Sequence, residues 1–265
     1  AMLELKSIYK TFNPGTINAK TALQDLSLTL NDGDFVTVIG GNGAGKSTML
    51  NAVAGTFTVD AGSIAIGGVD VTHLPEHRRA KFIGRVFQDP MMGTAPDMQI
   101  EENLALAARR GKRRGLSWGI TRTEREEYRE KLKTLGLGLE DRMTSKVGLL
   151  SGGQRQALTL LMASLRRPEL LLLDEHTAAL DPATAAKVLE LSDRIVAENH
   201  LTAMMITHNM RDAITHGNRL IMMNAGRIIL DISGEEKKKL TKQDLLDRFA
   251  ALAGQQEETD SVLLS

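Results

Sequence analysis

The chain has no cysteine in its 265 residues. Disulfide scaffolds and thiolate zinc sites are therefore excluded, and such a composition suits a reducing compartment. Neither charge is in excess, since Lys and Arg total 33 and Asp and Glu also total 33. Nothing in that balance selects nucleic acid or an acidic ligand. No window approaches the ~18 consecutive apolar residues of a membrane-spanning helix, and no charged-then-apolar leader precedes the first strand-like stretch. A cytoplasmic location is expected. There is no internal repeat, and the length allows one large domain or two small ones with an ample core.

What the chain does have is Gly40-Gly41-Asn42-Gly43-Ala44-Gly45-Lys46-Ser47-Thr48, which fits the phosphate-loop spacing G-x-x-x-x-G-K-[ST]. Glycines here let the backbone turn its N–H groups around a polyphosphate, with the positive end of the next helix aimed at the same anion. Lys46 reaches the outer phosphates in this reading, and Ser47 offers a hydroxyl to Mg²⁺. The flanks support it. Phe35 to Ile39 is an unbroken, largely β-branched run suited to a strand buried on both faces, and Met49 to Val53 continues as a helix that Gly55 stops.

Ahead of the loop, Leu3, Leu5 and Ile8 and then Leu26, Leu28 and Leu30 predict two antiparallel strands, turning through Asn31-Asp32-Gly33. Phe12 lies between them, as edge packing or as a stacking surface for a base. Beyond the loop, short strands are expected at Ser63–Ile66 and Ile83–Phe87, the latter closed by Gln88 and broken by Asp89-Pro90. Met91 and Met92 then either form an adaptable contact surface or fill gaps under a loop.

From Ile100 to Leu165 the periodicity is helical, with Gly136 ending a run through Tyr128, Leu132 and Leu135. The basic run Arg109–Arg114 reads as a solvated connection, or else as a contact for lipid headgroups or an acidic partner surface. Without interleaved aromatics it is a poor nucleic-acid site. Leu150-Ser151-Gly152-Gly153-Gln154 opens an apolar helix over about Arg155 to Leu165, as a second anion cradle or as simple capping.

Leu170 to Leu173 demands full burial, yet Asp174 and Glu175 follow at once, at the edge where open α/β sheets bind ligands. Adjacent acids allow a division of labour, Asp174 holding Mg²⁺ through water and Glu175 polarising the attacking water, though strand-end acids also simply meet solvent. An amphipathic helix through Val188, Leu191 and Ile195 leads to a last buried strand, Ala203–Ile206, which delivers His208 to that edge, to cap, pack or catalyse. Two more strands, Arg219–Met223 and Arg227–Ile232, turn at Ala225-Gly226, and from Gly234 a polar helical, mobile tail is expected.

In this order, Gly40–Thr48, Gln88, Leu150–Gln154 with Arg155 and Gln156, Leu170–Glu175, Ala179-Leu180-Asp181 and His208 resemble the ATP-binding subunit of an ABC (ATP-binding cassette) transporter, over residues 2 to 232. The resemblance implies a P-loop NTPase α/β fold: a RecA-like parallel sheet core (2–88 and 166–232), an N-terminal antiparallel β subdomain, an inserted helical subdomain (89–165) and a tail (233–265). It implies ATP and Mg²⁺. Gly40, Asn42, Gly43, Ala44, Gly45, Lys46, Ser47 and Thr48 would hold the phosphates and Phe12 the adenine. Gln88 would contact Mg²⁺ and the attacking water, with Ser47 and Asp174 as the other metal ligands. Glu175 would be the general base and His208 the γ-phosphate contact. Ser151 and Gly153 would meet the γ-phosphate held by Lys46 of a second copy, with Gly152 and Gln154 in the same nucleotide-binding stretch, and Asp181 would communicate across that dimer.

Implied partners are a second or paralogous cassette, separate transmembrane permease subunits that hold the chain at the inner face of the membrane, and a substrate-binding protein, but no nucleic acid. The stretch Thr94–Leu150 is similar to amino-acid uptake cassettes serving tryptophan or tyrosine. The competing class is a non-transport ABC ATPase of translation or DNA repair. Those chains usually carry two cassettes, coiled coils or zinc modules, none of which this sequence shows. Two departures from the family pattern stand out: Gly41 where Pro or Ser is frequent, and His176 where Pro is usual. His176 could touch solvent, tune Glu175 or do nothing.

Overall fold

A computed structural model describes residues 1–110 and 119–263. Of the basic run, Gly111 to Arg114 lies outside the described residues. In chain order the elements are β1 (Leu3–Phe12), β2 (Lys20–Leu30), β3 (Phe35–Ile39), α1 (Lys46–Ala54), β4 (Ala61–Ile66), β5 (Val69–Asp70), α2 (Glu76–Arg79) and β6 (Ile83–Val86). Then come α3 (Ile100–Arg109), α4 (Arg122–Lys133), α5 (Gly152–Ser164), β7 (Leu170–Asp174), α6 (Pro182–Glu198), β8 (Thr202–Ile206), α7 (Met210–Thr215), β9 (Arg219–Asn224), β10 (Arg227–Ser233), α8 (Gly234–Lys238) and α9 (Lys242–Leu263).

The chain divides into two compact units, Ala1–His73 with Met204–Ser265, and Leu74–Ala203. In the first, an antiparallel sheet in the order β2-β1-β4-β5 is built on the alternation of its leucines. Leu3 faces Leu30 and Leu5 faces Leu28, all buried, while the residues between them point outward. The same unit holds β3, buried at all five positions, parallel to β9, with the β9–β10 hairpin antiparallel. Ala225 (φ 49°) and Gly226 (φ 77°) both take left-handed conformations there, as a two-residue hairpin turn requires. Within the polar C-terminal segment, Leu240 and Leu245 pack with Ile39, Leu220 and Met222.

In the second unit β6 and β7 run parallel, Val86 opposite Leu173, and the four leucines of β7 are fully buried. That is the pattern of a strand covered on both faces. Residues 91–165 contain α3, α4 and α5 and, among the described residues, no strand. Capping boxes start each of these three helices, at Gln99/Glu102, Thr121/Glu124 and Ser151/Gln154.

Candidate active site

The phosphate loop lies in the first unit and is shaped by close backbone contacts. A Cβ on Gly40 would stand 2.5 Å from the Met223 carbonyl oxygen, and one on Gly45 (φ 97°) 2.9 Å from that of Ala22. Neither position has room for a side chain. Gly45 is also the N-cap of α1, and no side chain caps that helix, so its N-terminal dipole faces the loop. Lys46, 8% exposed, folds its ammonium onto the Gly40 carbonyl at 2.6 Å.

Phe12 packs edge-on against Phe57, centroids 5.4 Å apart at 84°, with the Lys10 ammonium 5.4 and 5.1 Å from the two rings. Phe12 remains 36% exposed, so edge packing does not exclude a stacking role. Its strand partner is Lys20, whose Nζ comes within 3.5 Å of where a Gly43 Cβ would lie. The β1–β2 end therefore meets the phosphate loop. Lys20 is a cation at the site that sequence reasoning missed, because only cross-strand register distinguishes it from any surface lysine.

His208 follows β8 and is exposed. The Thr207 N–H donates to the Val38 carbonyl at 3.1 Å, so His208 emerges at the sheet edge where Gly40 leaves β3. It does not cap α7. Asn209 does, its Oδ1 accepting from the Asp212 N–H at 3.1 Å.

In the second unit the β6–β7 register brings Gln88 and Glu175, each two residues past a paired position, to one end of the strand pair. Asp174, at the last position of β7, faces the Arg85 guanidinium at 3.4 Å, and Arg85 stacks over Phe87 at 4.6 Å. Glu175 has a left-handed backbone, φ 49°, a conformation that costs a non-glycine residue about 1–3 kcal/mol and concentrates at functional sites. His176 is buried, 1% exposed, and its Nε2 lies 2.8 Å from Ser192 Oγ. Because that hydroxyl donates to the Val188 carbonyl, the ring nitrogen is the donor to Ser192. Of the readings open for His176, solvent contact is thereby excluded.

Ser151 caps α5, its Oγ accepting from the Gln154 N–H at 3.2 Å while Gln154 Oε1 accepts from the Ser151 N–H at 3.1 Å. Ser151 and Gly152 are exposed at the positive end of a 13-residue helix, so capping and anion binding are compatible there. A Cβ on Gly153 would come 2.3 Å from Thr184 Cγ2, so a side chain there would require Thr184 of α6 to shift. Asp181 caps α6 through the Thr184 N–H at 3.1 Å, and hydrogen bonding to Thr184 holds its carboxyl below the usual aspartate value.

The segment after Gln88 is fixed from beneath. Arg155 donates to Met91 Sδ and to the carbonyls of Val147 and Gly148 at 3.3 and 3.1 Å, while the Asn103 amide holds Ala95 and Gln99. Met91 and Met92 are about half exposed at 47% and 51%, which favours a contact surface over gap filling.

Comparison with known proteins fits this geometry. The ABC transporter family model matches residues 23–178. The tyrosine transport ATP-binding protein of Clostridioides difficile is 43% identical, over 94% of this chain and 98% of its own length. The methionine import ATP-binding protein MetN 2 of Enterococcus faecalis is 34% identical, over 92% of this chain and 70% of its own. Against the spermidine/putrescine import ATP-binding protein PotA of Haemophilus influenzae, 33% identical over 89% of this chain, the match spans 59% of the relative. Among solved structures, an ATP-binding cassette captured as a dimer in a post-hydrolysis state with ADP and Pi aligns with a TM-score of 0.74 at 29% identity, over 88% of this chain and 98% of that one. The ADP conformation of a second ABC transporter cassette aligns with 0.77 at 26%, over 94% and 98%. This chain is thus a member of the ABC transporter family, an ATP-binding cassette that hydrolyses ATP.

Proposed function

We propose that this chain drives import of an amino acid of the tyrosine or tryptophan type through separate permease subunits. The observation that carries this is the 43% identity, over 98% of its length, to a tyrosine transport ATP-binding protein. The exposed Met91 and Met92, with Leu106 and Leu149 at 53% and 70% exposure, supply an apolar surface for those subunits. None of the chain's helices, among the described residues, is long and apolar enough to cross a membrane.

In this reading the backbone N–H groups of Gly43 to Ser47 and the Lys46 ammonium bind the β- and γ-phosphates, and the Phe12 ring stacks on adenine. Lys46 exchanges the Gly40 carbonyl for phosphate oxygens. Asp174, a hard oxygen donor at a partly exposed strand end, and the Ser47 hydroxyl suit Mg²⁺, which takes one or two protein oxygens beside phosphates and water. When bound with nucleotide, that ion neutralises charge on the phosphates. Glu175 takes the proton of the attacking water, Gln88 orients that water, and His208 donates to the γ-phosphate. Ser151 and the start of α5 complete the site of a second copy, so that two chains close on two ATP molecules. Fixed dipoles and charges around the transferring phosphoryl group supply most of the rate.

Cells lacking this chain should lose energy-dependent uptake of labelled tyrosine or tryptophan. Wild-type chain should restore uptake and Glu175→Gln should not. Unchanged uptake in the deletion strain would refute the cargo assignment.

A further inference from the structure

The residue after Glu175 and the residue before Gln88 are held by one side chain. Gln156, on the second turn of α5, is fully buried. Its Nε2 donates to the carbonyl of Phe87 at 2.7 Å and to that of His176 at 2.5 Å. Two carbonyl oxygens require a donor between them, which fixes the amide orientation. Its Oε1 lies 2.9 Å from the Thr159 hydroxyl. All donors and acceptors of this amide therefore face protein groups, and the bonds join three elements: the start of α5, the exit of β6 and the exit of β7.

A left-handed backbone at Glu175 persists only if its surroundings over-determine it. His176 is pinned twice, its carbonyl by Gln156 and its ring by Ser192. We infer that Gln156 is a positioning residue for hydrolysis: through the carbonyls of Phe87 and His176 it sets where Gln88 and Glu175 stand relative to each other. It does not touch nucleotide. This inference rests on the ATPase reading, in which Glu175 and Gln88 manage the attacking water.

The test is Gln156→Met, which keeps length and apolar bulk but removes the donor. Steady-state turnover of MgATP, nucleotide affinity and thermal unfolding are measured on the full chain beside wild type, Glu175→Gln and the double variant. Displacement of a reacting group by about 1 Å can cost ~100-fold in rate, so kcat should fall about 10- to 100-fold. KM and nucleotide affinity should stay within about 3-fold, because the phosphate loop is not linked to this amide. The double variant should be no slower than Glu175→Gln alone, as expected of groups that act as a unit. Turnover within about 2-fold of wild type would overturn the inference, as would kcat, affinity and folded fraction all falling together, which marks a merely structural role. Should Gln156→Met fail to fold, Thr159→Val removes the hydroxyl that donates to Gln156 and leaves its buried Oε1 without that donor: a several-fold loss of kcat, rescued by Thr159→Ser, supports the inference, and no loss refutes it. A wild-type chain without turnover would instead remove the ATPase reading, and this inference with it.

Discussion

Lys46 and Glu175 show how much a single side chain or backbone angle contributes here. The Lys46 ammonium donates to the Gly40 carbonyl at 2.6 Å, a contact that phosphate oxygens can replace with a stronger, charge-assisted one. Lys46→Ala should therefore weaken nucleotide retention and abolish turnover, read by fluorescent-nucleotide binding and phosphate release, and near-normal activity would contradict the loop assignment. Glu175 is held left-handed at a strand end, where a relaxed backbone would point it elsewhere. Glu175→Gln should slow hydrolysis at least ~10²-fold, the usual scale of a general base, while nucleotide binding is retained. Normal turnover would remove Glu175 from that role.

At the scale of elements, Gly40 approaches β9 closely, Gly153 approaches α6, and Asp181 caps the start of α6. Asp181 carries a pH signature. Hydrogen bonding lowers its folded-state pKa, so the stability it adds is present above the ordinary aspartate value of ~3.9 and is lost as pH falls through the lower folded value. The difference in melting temperature between wild type and Asp181→Ala should be constant near neutrality and shrink as pH drops from 5 to 3. A gap independent of pH would contradict the cap.

Sequence periodicity showed the elements whose burial is complete, such as β3 and β7, and the loop and signature whose spacing is chemically specific. It did not show β5, α2 or α7. These are two, four and six residues long, too short for a period to register. Nor did it show Lys20 beside the loop, Arg85 beside Asp174, the left-handed Glu175 or the Gln156 amide. Each depends on strand register or on a contact between residues far apart in sequence, and no local pattern encodes such a contact. His176 is the sharpest instance: as a lone histidine it left three readings open, and its bond to Ser192, on a different element, excluded one.

At the scale of the whole molecule, the chain carries a phosphate loop and a capped signature helix, which in the proposed mechanism act from opposite copies of a dimer. A similar cassette has been solved as a dimer, in one structure with ADP and Pi bound. The exposed Ser151 is the point at which a bulky charge would interfere with such pairing. The most direct measurement is sedimentation of the Glu175→Gln chain with and without MgATP, beside the same chain carrying Ser151→Arg. Monomer should become dimer on addition of MgATP in the first, while the second should bind ATP and stay monomeric. A Glu175→Gln chain that binds ATP but remains a monomer, or a dimer indifferent to Ser151→Arg, would contradict the composite site.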